Sequence, residues 1–492
     1  MATAATKQLS QRTIAIIGGG FCGCALAAAL LRHPPAAPTR IILIERRRSV
    51  GCGVAYASGP FPYVLNVPAA RMPPLCDDPS QLVRFAQSRV PGAGAQSFLP
   101  RALYGDYLRD ALRTAELTAP PHVRLERVHG EATEVRHGQQ GTALLVRVGG
   151  RQEAMDHVVL ACGDPPPVAR AYAADVPGHP AYVRDPHQQD FIRPSDRAVL
   201  LVGTGLTMID VAVAIAERNP DAHIIALSRH GLLPNVQREA WAPVLERSFD
   251  VRARLATTSM RVLVAGVRAL CSTVQRRGGD WREAIGRVRE LAPLLWRELD
   301  EVQRRRFLRH VRVYWDVHRH RMPHAVAEKI DDLRRSGRLQ LRAGCIRQLC
   351  ADGERLVALW RPRGHFEIRE AWVDRVIECS GADHRIDETA DVLLRNLLDG
   401  GLASVDPTGL GLRTGKLGAL LGADGRAAGR LFYLGPMLRA ASWEATAAVE
   451  LDARARELAA ALAGGASSAV HPFAVHSPVC YTAATDAVTS AI

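Results

Sequence analysis

The sequence predicts an α/β protein made of two parallel-sheet units, the second inserted into the first, with a helical insertion of its own. Three observations predict it. An apolar strand pattern runs into a glycine-rich turn and then a helix of mostly small or apolar residues twice, 185 residues apart. The first turn is Gly18-Gly19-Gly20-Phe21-Cys22-Gly23 and the second Gly203-Thr204-Gly205-Leu206-Thr207-Met208. Apolar strands that end in small residues and glycine also recur, at 158–163 and 376–381. Between about 240 and 335 the alternation gives way to apolar residues near helical spacing. A strand turning through glycines into a helix offers bare N–H groups, at the positive end of a helix dipole, to a pyrophosphate. Both units therefore read as Rossmann-like dinucleotide-binding domains.

In chain order, residues 12–48 read as strand, turn, helix and strand, with Gly18, Gly20 and Gly23 at the phosphate end. The second strand, 41–44, closes on Glu45, 27 residues after Gly18. The usual separation is about 20; the proline-rich loop 33–40 accounts for the excess. An acid there accepts hydrogen bonds from ribose hydroxyls and repels a 2′-phosphate, which implies FAD or NAD. Residues 50–107 form a long segment rich in Gly and Pro, of the kind that covers a cofactor mouth. A helix is expected over 101–117 and strands over 123–128, 143–148 and 156–161. The last ends at Cys162 and Gly163, where the backbone can approach a ligand closely.

The prolines at 165–167 and the polar stretch to 196 read as a linker. After the second turn, with Gly203 and Gly205, a strand at 223–227 ends in Ser228-Arg229-His230-Gly231. A hydroxyl and a guanidinium in place of the acid suit a 2′-phosphate, so this unit is expected to take NADPH. In the insertion, helices are expected over 281–296, kinked or broken at Pro293, and over 302–317. The run His318-Arg319-His320-Arg321 either reaches the nicotinamide or substrate, or is the solvated end of a basic helix. Strands resume at 338–349 and 355–361. The strand ending at Gly381 and the one running into Gly435 complete the pattern, and a helix is expected from Trp443 to Leu462. Its start, with Trp443 and Thr446, would aim a helix dipole at the electron-rich edge of a flavin.

These readings divide the chain into an FAD-binding domain at 12–167, an NADP-binding domain at 195–370 carrying the insertion at about 240–335, a second FAD part at 371–465 and a tail at 466–492. Of 492 residues 47% are hydrophobic, enough for a large core, and Lys plus Arg number 63 against 50 acids. The basic residues are spread along the chain with no aromatic-interleaved patch, which argues against nucleic acid as partner. No apolar run reaches membrane-spanning length or signal-peptide form. The ten cysteines form no paired C-x-x-C units. That argues against a metal site and fits reduced thiols in a cytoplasmic protein. Cys22-Gly23-Cys24 reads as packing rather than a redox pair.

The chain resembles the bacterial flavoproteins described as FAD/NAD(P)-binding proteins, distant relatives of the flavin-containing and N-hydroxylating monooxygenases. The resemblance spans roughly 12–460. It rests on both glycine turns, on Gly51-Cys52-Gly53-Val54-Ala55-Tyr56, and on Leu65-Asn66-Val67-Pro68-Ala69-Ala70-Arg71-Met72. Further support comes from Pro100-Arg101-Ala102-Leu103-Tyr104-Gly105-Asp106-Tyr107-Leu108, from 228–231 and 318–321, and from Leu434-Gly435-Pro436. One departure is Met208, where a third glycine would serve close helix–strand packing. The resemblance implies FAD in the first unit and NADPH in the second. It also implies a monooxygenase that uses O2, through a flavin hydroperoxide, on a small-molecule substrate, with Asn66 as the polar residue near the flavin and His318 and Arg321 on the nicotinamide or substrate side. Two other readings stay open: an NADPH-dependent flavin reductase without oxygen insertion, and a flavin-bound regulatory protein without turnover. An oligomer is compatible with the basic insertion acting as a contact surface.

Overall fold

The computed structural model describes residues 11–464 except 58–60, 62, 139–142, 169, 188–190, 239–242, 247–248, 256, 258 and 382–384. The expected tail at 466–492 lies outside the described residues. Two sheets organise the chain. The first runs in the order Ala419–Leu421, Ala427–Tyr433, His157–Leu160, Arg12–Ile17, Thr39–Glu45, Val123–His129. All its pairings are parallel except the one between its first two strands. Strand Arg12–Ile17 lies centrally, and Ile14, Ala15 and Ile16 have no exposed surface. That explains its unbroken apolar run: a parallel strand covered on both faces has no solvent side to mark with polar residues. Helix Phe21–Arg32 packs on Ala448–Leu462 and Arg101–Thr118, so the far end of the sequence closes the first unit's core.

The second sheet has the order Arg369–Val373, Arg355–Pro362, Leu339–Asp352, His223–Ser228, Ala198–Val202, Arg375–Glu378, Tyr182–Val183. Strand Arg375–Glu378 pairs in parallel with Ala198–Val202. This corrects the expected boundary at 370/371: the chain has not yet returned to the first sheet at 378. The correction carries Gly381 with it, out of the FAD part and into the inserted unit. Tyr182–Val183, expected as linker, is the sheet's outer strand. A separate three-stranded antiparallel sheet, Ala132–His137, Leu144–Val148 and Arg151–Met155, is appended to the first unit.

The helical insertion interrupts a crossover. Strand His223–Ser228 connects to its parallel neighbour Leu339–Asp352 through helix His324–Arg335, which packs on Leu206–Arg218. Helices Met260–Arg276, Trp281–Glu298, Glu301–Arg306 and Arg312–Arg319 enter before that crossover helix. Trp281–Glu298 runs through Pro293 without a break. A π-turn at Phe307–Val311 joins the two helices expected as one over 302–317. The chain enters and leaves the insertion side by side. Asn235 and Gln237 exchange backbone hydrogen bonds with Val317 and Met322 at 2.8–2.9 Å, closing a neck.

Candidate functional site

At the first turn, Gly18 has φ +110° and a Cβ there would lie 2.4 Å from the Ala161 carbonyl oxygen. Only glycine lets the turn lie against the end of strand His157–Leu160. The Gly18 N–H donates to the Ile44 carbonyl at 2.8 Å. The Gly19 N–H donates to the Glu45 carboxylate at 2.6 Å, whose other oxygen accepts from the Arg47 N–H at 2.8 Å. Glu45 is thus a buried carboxylate held at the strand tip beside the turn. A Cβ on Gly23 would fall 1.9 Å from the Gly18 carbonyl oxygen, so the helix can follow the turn this closely only without a side chain. Gly51 bonds back to Gly19 at 2.7 Å, laying the following loop over the turn.

The two turn helices begin at a glycine, unlike the helices that an aspartate caps. Phe21–Arg32 and Leu206–Arg218 are capped by Gly20 and Gly205, with no side chain on their N-terminal N–H groups and no acid in the first turn. Trp281–Glu298, Glu301–Arg306 and Val392–Asp399 are capped by Asp280, Asp300 and Asp391. Helix N–H groups left without a protein acceptor are what a pyrophosphate needs. The residues present fit a dinucleotide at each turn.

At the second turn Gly203 has φ +113°, and its Cβ would lie 2.4 Å from the Cys379 carbonyl oxygen. Gly381, with φ +86°, follows two residues later. Ser228 does not serve as expected. Thr204 donates to the Leu232 carbonyl at 2.6 Å, so the 2.9 Å contact between Thr204 and Ser228 must use the Ser228 proton. Ser228 also accepts from the Gly231 N–H at 3.0 Å. Its only proton is spent inside the turn, and it has none to give a phosphate. Arg229 is exposed, and with Arg363 it depresses His230, whose pKa falls through burial and these two like charges. Arg363 reaches this point because its N–H bonds Ala343 at 2.9 Å and Ala343 pairs with Ser228. Sequence reasoning missed it. It lies 134 positions after Arg229, and only the register of strand Leu339–Asp352 reveals it.

Between the units lies the loop that carries Asn66. Tyr104 donates to the Pro73 carbonyl at 2.9 Å, and Tyr107 to Pro74, fixing the loop's far end on helix Arg101–Thr118. The Gln237 side chain donates to the Asn66 carbonyl at 3.0 Å. The neck of the insertion therefore touches the Asn66 loop directly. The Asn66 side-chain amide makes no hydrogen bond to a described residue, so it is not spent on its own turn. Arg101 bonds the Val64 carbonyl at 3.1 Å and pairs with Asp210, in the second turn helix, at 2.7 Å. Burial raises the Asp210 carboxyl to about 6 against the pull of Arg101.

Arg321 lies next to the neck, beside Met322. His318 adjoins the neck at Val317; its Nδ1 donates to the Tyr314 carbonyl at 2.7 Å and its ring meets Trp281 edge-on at 5.0 Å. His320 is held neutral by burial and surrounding arginines, its pKa near 3.

Around the first turn, the Cys162 N–H side of the chain runs along Gly18. Burial pushes the Cys162 thiol up to about 12. Gly163 has φ +77°, and its carbonyl accepts from the Tyr433 hydroxyl at 3.0 Å, which brings it to the Gly435 turn. Trp443 is a correction. Its indole packs 5.1 Å from Trp296 and 4.8 Å from Phe307, both in the insertion. A large apolar ring next to an apolar helical face is buried there rather than offered to a ligand. The helix also begins later than expected, at Ala448. Thr446 lies two residues before it, in a turn.

Residues 15–165 match the family model described as FAD-NAD(P)-binding. This segment is an FAD-NAD(P)-binding domain. Over about nine-tenths of its length the chain shares its fold with solved structures of similar extent. It is similar to the ornithine hydroxylase PvdA from Pseudomonas aeruginosa, at TM-score 0.60 and 16% identity, covering 92% of this chain and 99% of that one. The L-lysine 6-monooxygenase from Pseudomonas syringae also matches at TM-score 0.60 and 16% identity, over 91% and 98% of the two chains. The bacillithiol disulfide reductase Bdr from Bacillus cereus matches at TM-score 0.51 and 14% identity, over 92% and 99%. A search of the curated proteins finds no match to the sequence. Among the described residues no helix is long and apolar enough to cross a membrane, and no group of three or more His, Cys, Asp or Glu is placed to hold a metal.

Proposed function

We propose that the protein is an NADPH-dependent FAD monooxygenase acting on a small molecule. The observation that carries this reading is the contact between Gln237 and Asn66. It joins the loop beyond the first turn to the segment leaving the second unit's nucleotide strand, so that a flavin and a nicotinamide extending from the two turns would meet there. Bound FAD supplies hydride acceptance from NADPH and activation of O2. The chain supplies the rest. Glu45 holds the ribose of FAD, and the N-termini of Phe21–Arg32 and Leu206–Arg218 take the two pyrophosphates. Arg229 and Arg363 take the 2′-phosphate of NADPH. The Asn66 amide is a neutral donor beside the reacting centre, with no proton that it can lose at physiological pH.

The fold likeness to a disulfide reductase keeps a second reading in view, electron transfer without oxygen insertion. Thiol chemistry at the three cysteines packed around the first turn helix and its neighbouring strand end is disfavoured. Cys22, Cys24 and Cys162 are raised to about 12, chiefly by burial, and a thiol that stays protonated is a poor nucleophile.

The experiment is anaerobic reduction by NADPH, followed visibly, and then admission of O2. A yellow protein that bleaches with NADPH and reoxidises slowly, with little free peroxide, supports the monooxygenase. Peroxide released at once and equal to NADPH consumed favours the reductase. A flavin that NADPH does not bleach leaves the regulatory reading.

A further inference from the structure

Where the neck of the insertion meets the Asn66 loop, Arg321 feels the charges of three other arginines, Arg319, Arg282 and Arg71, and that of Asp280. Two are neutralised. Arg319 pairs with the buried Glu444 at 2.9 Å. Arg282 pairs with Asp280 at 3.0 Å and gives two further hydrogen bonds to the Val236 carbonyl. Asp280 is already shared with Arg238 at 2.8 Å. The other two have no acid of their own. The Nε and Nη1 of Arg321 are buried without a hydrogen-bond partner among the described residues. Burial and the charges of Arg319, Arg282 and Arg71 lower its pKa to about 10, so it remains a cation at neutral pH. Arg71 is exposed and makes no side-chain hydrogen bond to a described residue, so its guanidinium is free to meet a ligand from the solvent side. Burying unmet donors of a charged group is costly, and an external anion on Arg321 would remove that cost.

The place of this pair in the molecule says which anion. The pyrophosphates have the N-termini of the two glycine-turn helices, and the 2′-phosphate has Arg229 and Arg363. Arg321 adjoins Met322, which bonds to Asn235 and Gln237, and Gln237 holds Asn66. Arg71 closes the same loop five positions after Asn66. We infer that Arg71 and Arg321 form the substrate-recognition site, and that the substrate is a small molecule bearing two or more negative charges, carboxylate or phosphate. This rests on the reading that the Asn66 loop borders the flavin. The two guanidiniums grip the anionic end and leave the rest of the substrate towards Asn66, while a diamine would meet two cations, with the nearby Asp280 already engaged by Arg282 and Arg238.

The test titrates the flavin-loaded protein with citrate, succinate, inorganic phosphate and, as a cationic control, 1,5-diaminopentane. Two readouts are followed, the visible difference spectrum of the flavin and the thermal unfolding midpoint. Citrate is expected to perturb both and the diamine neither. Arg321→Gln and Arg71→Gln should each weaken citrate at least tenfold, Arg321→Lys less, with binding of 2′,5′-ADP unchanged. Unliganded Arg321→Gln should melt no lower than the parent, because it removes an unmet buried charge. Anions without effect on either readout, a diamine that binds, or an Arg321→Gln loss of 2′,5′-ADP binding equal to the citrate loss would each overturn the assignment. Should the protein hold no flavin, the thermal readout still reports the anion, so the two readings fail separately.

Discussion

The turn at Gly18 and the turn at Gly203 have one backbone and two sets of side chains. Their glycines have φ of +110° and +113°, and each would put a Cβ 2.4 Å from the carbonyl oxygen at the end of the adjacent strand. Each first glycine donates to the next strand at 2.8 Å, and Ala161 and Cys379 close the other side at 2.7 Å. The side chains then part. Glu45 binds the first turn through the Gly19 N–H. At the second, Thr204 and Ser228 bond each other and seal the turn internally. Gly23 has no room for a Cβ, while Met208, in the corresponding position, is wholly buried among apolar side chains. A pyrophosphate is recognised by backbone and helix dipole, so its cradle can recur nearly unchanged. The ribose end is recognised by side chains, and there the two sites diverge.

The largest expected effect comes from filling either cradle. Gly18→Ala forces a Cβ against a carbonyl and should abolish flavin retention, read as loss of the visible spectrum on purification. Gly203→Ala meets the same obstacle, and the purified protein should stay yellow but lose NADPH-driven bleaching; loss of flavin in both would mean that the turns do not serve separate cofactors.

The link between the units should be smaller and dependent on pH. Asp210 is raised to about 6, so the folded state binds its proton more tightly than the unfolded chain does. The stability it contributes is present below about pH 4 and is lost as pH rises to about 6, roughly 3 kcal/mol in all. Asp210→Asn should flatten that slope in thermal unfolding measured from pH 4 to 7; an unchanged slope would free Asp210 of the role.

Smallest are the changes at the ribose end of the second site. Arg229→Ala and Arg363→Ala should each raise the Kd for NADPH about tenfold, or about 1.4 kcal/mol, and leave NADH alone. Ser228→Ala should change the preference less than about twofold, because its proton stays within the turn. A Ser228 effect as large as that of Arg229 would contradict the hydrogen-bond assignment.

Both turns, the strands around them and Glu45 were legible because their signal is local. Glycines at fixed offsets between an apolar run and a small-residue helix state a backbone requirement that no distant contact alters. Helix Arg101–Thr118 and strand Arg355–Pro362 were readable within a residue or two for the same reason, from period and flanks. Ser228 was misread because its partner Thr204 lies on another strand's turn, and a hydroxyl's use depends on which acceptor is nearest in space.

What the sequence determined by itself, then, is the pair of phosphate cradles and the order of the units. Tertiary structure decided everything that needs two distant segments to meet. It turned Trp443 towards Trp296, brought Arg363 to Arg229, and assigned strand Arg375–Glu378 to the inserted sheet. It also buried Arg321 Nε and Nη1 without a hydrogen-bond partner among the described residues. Backbone conformation is encoded by neighbours in the chain, while charge and burial are set by neighbours in space, and a folded core alone brings those together.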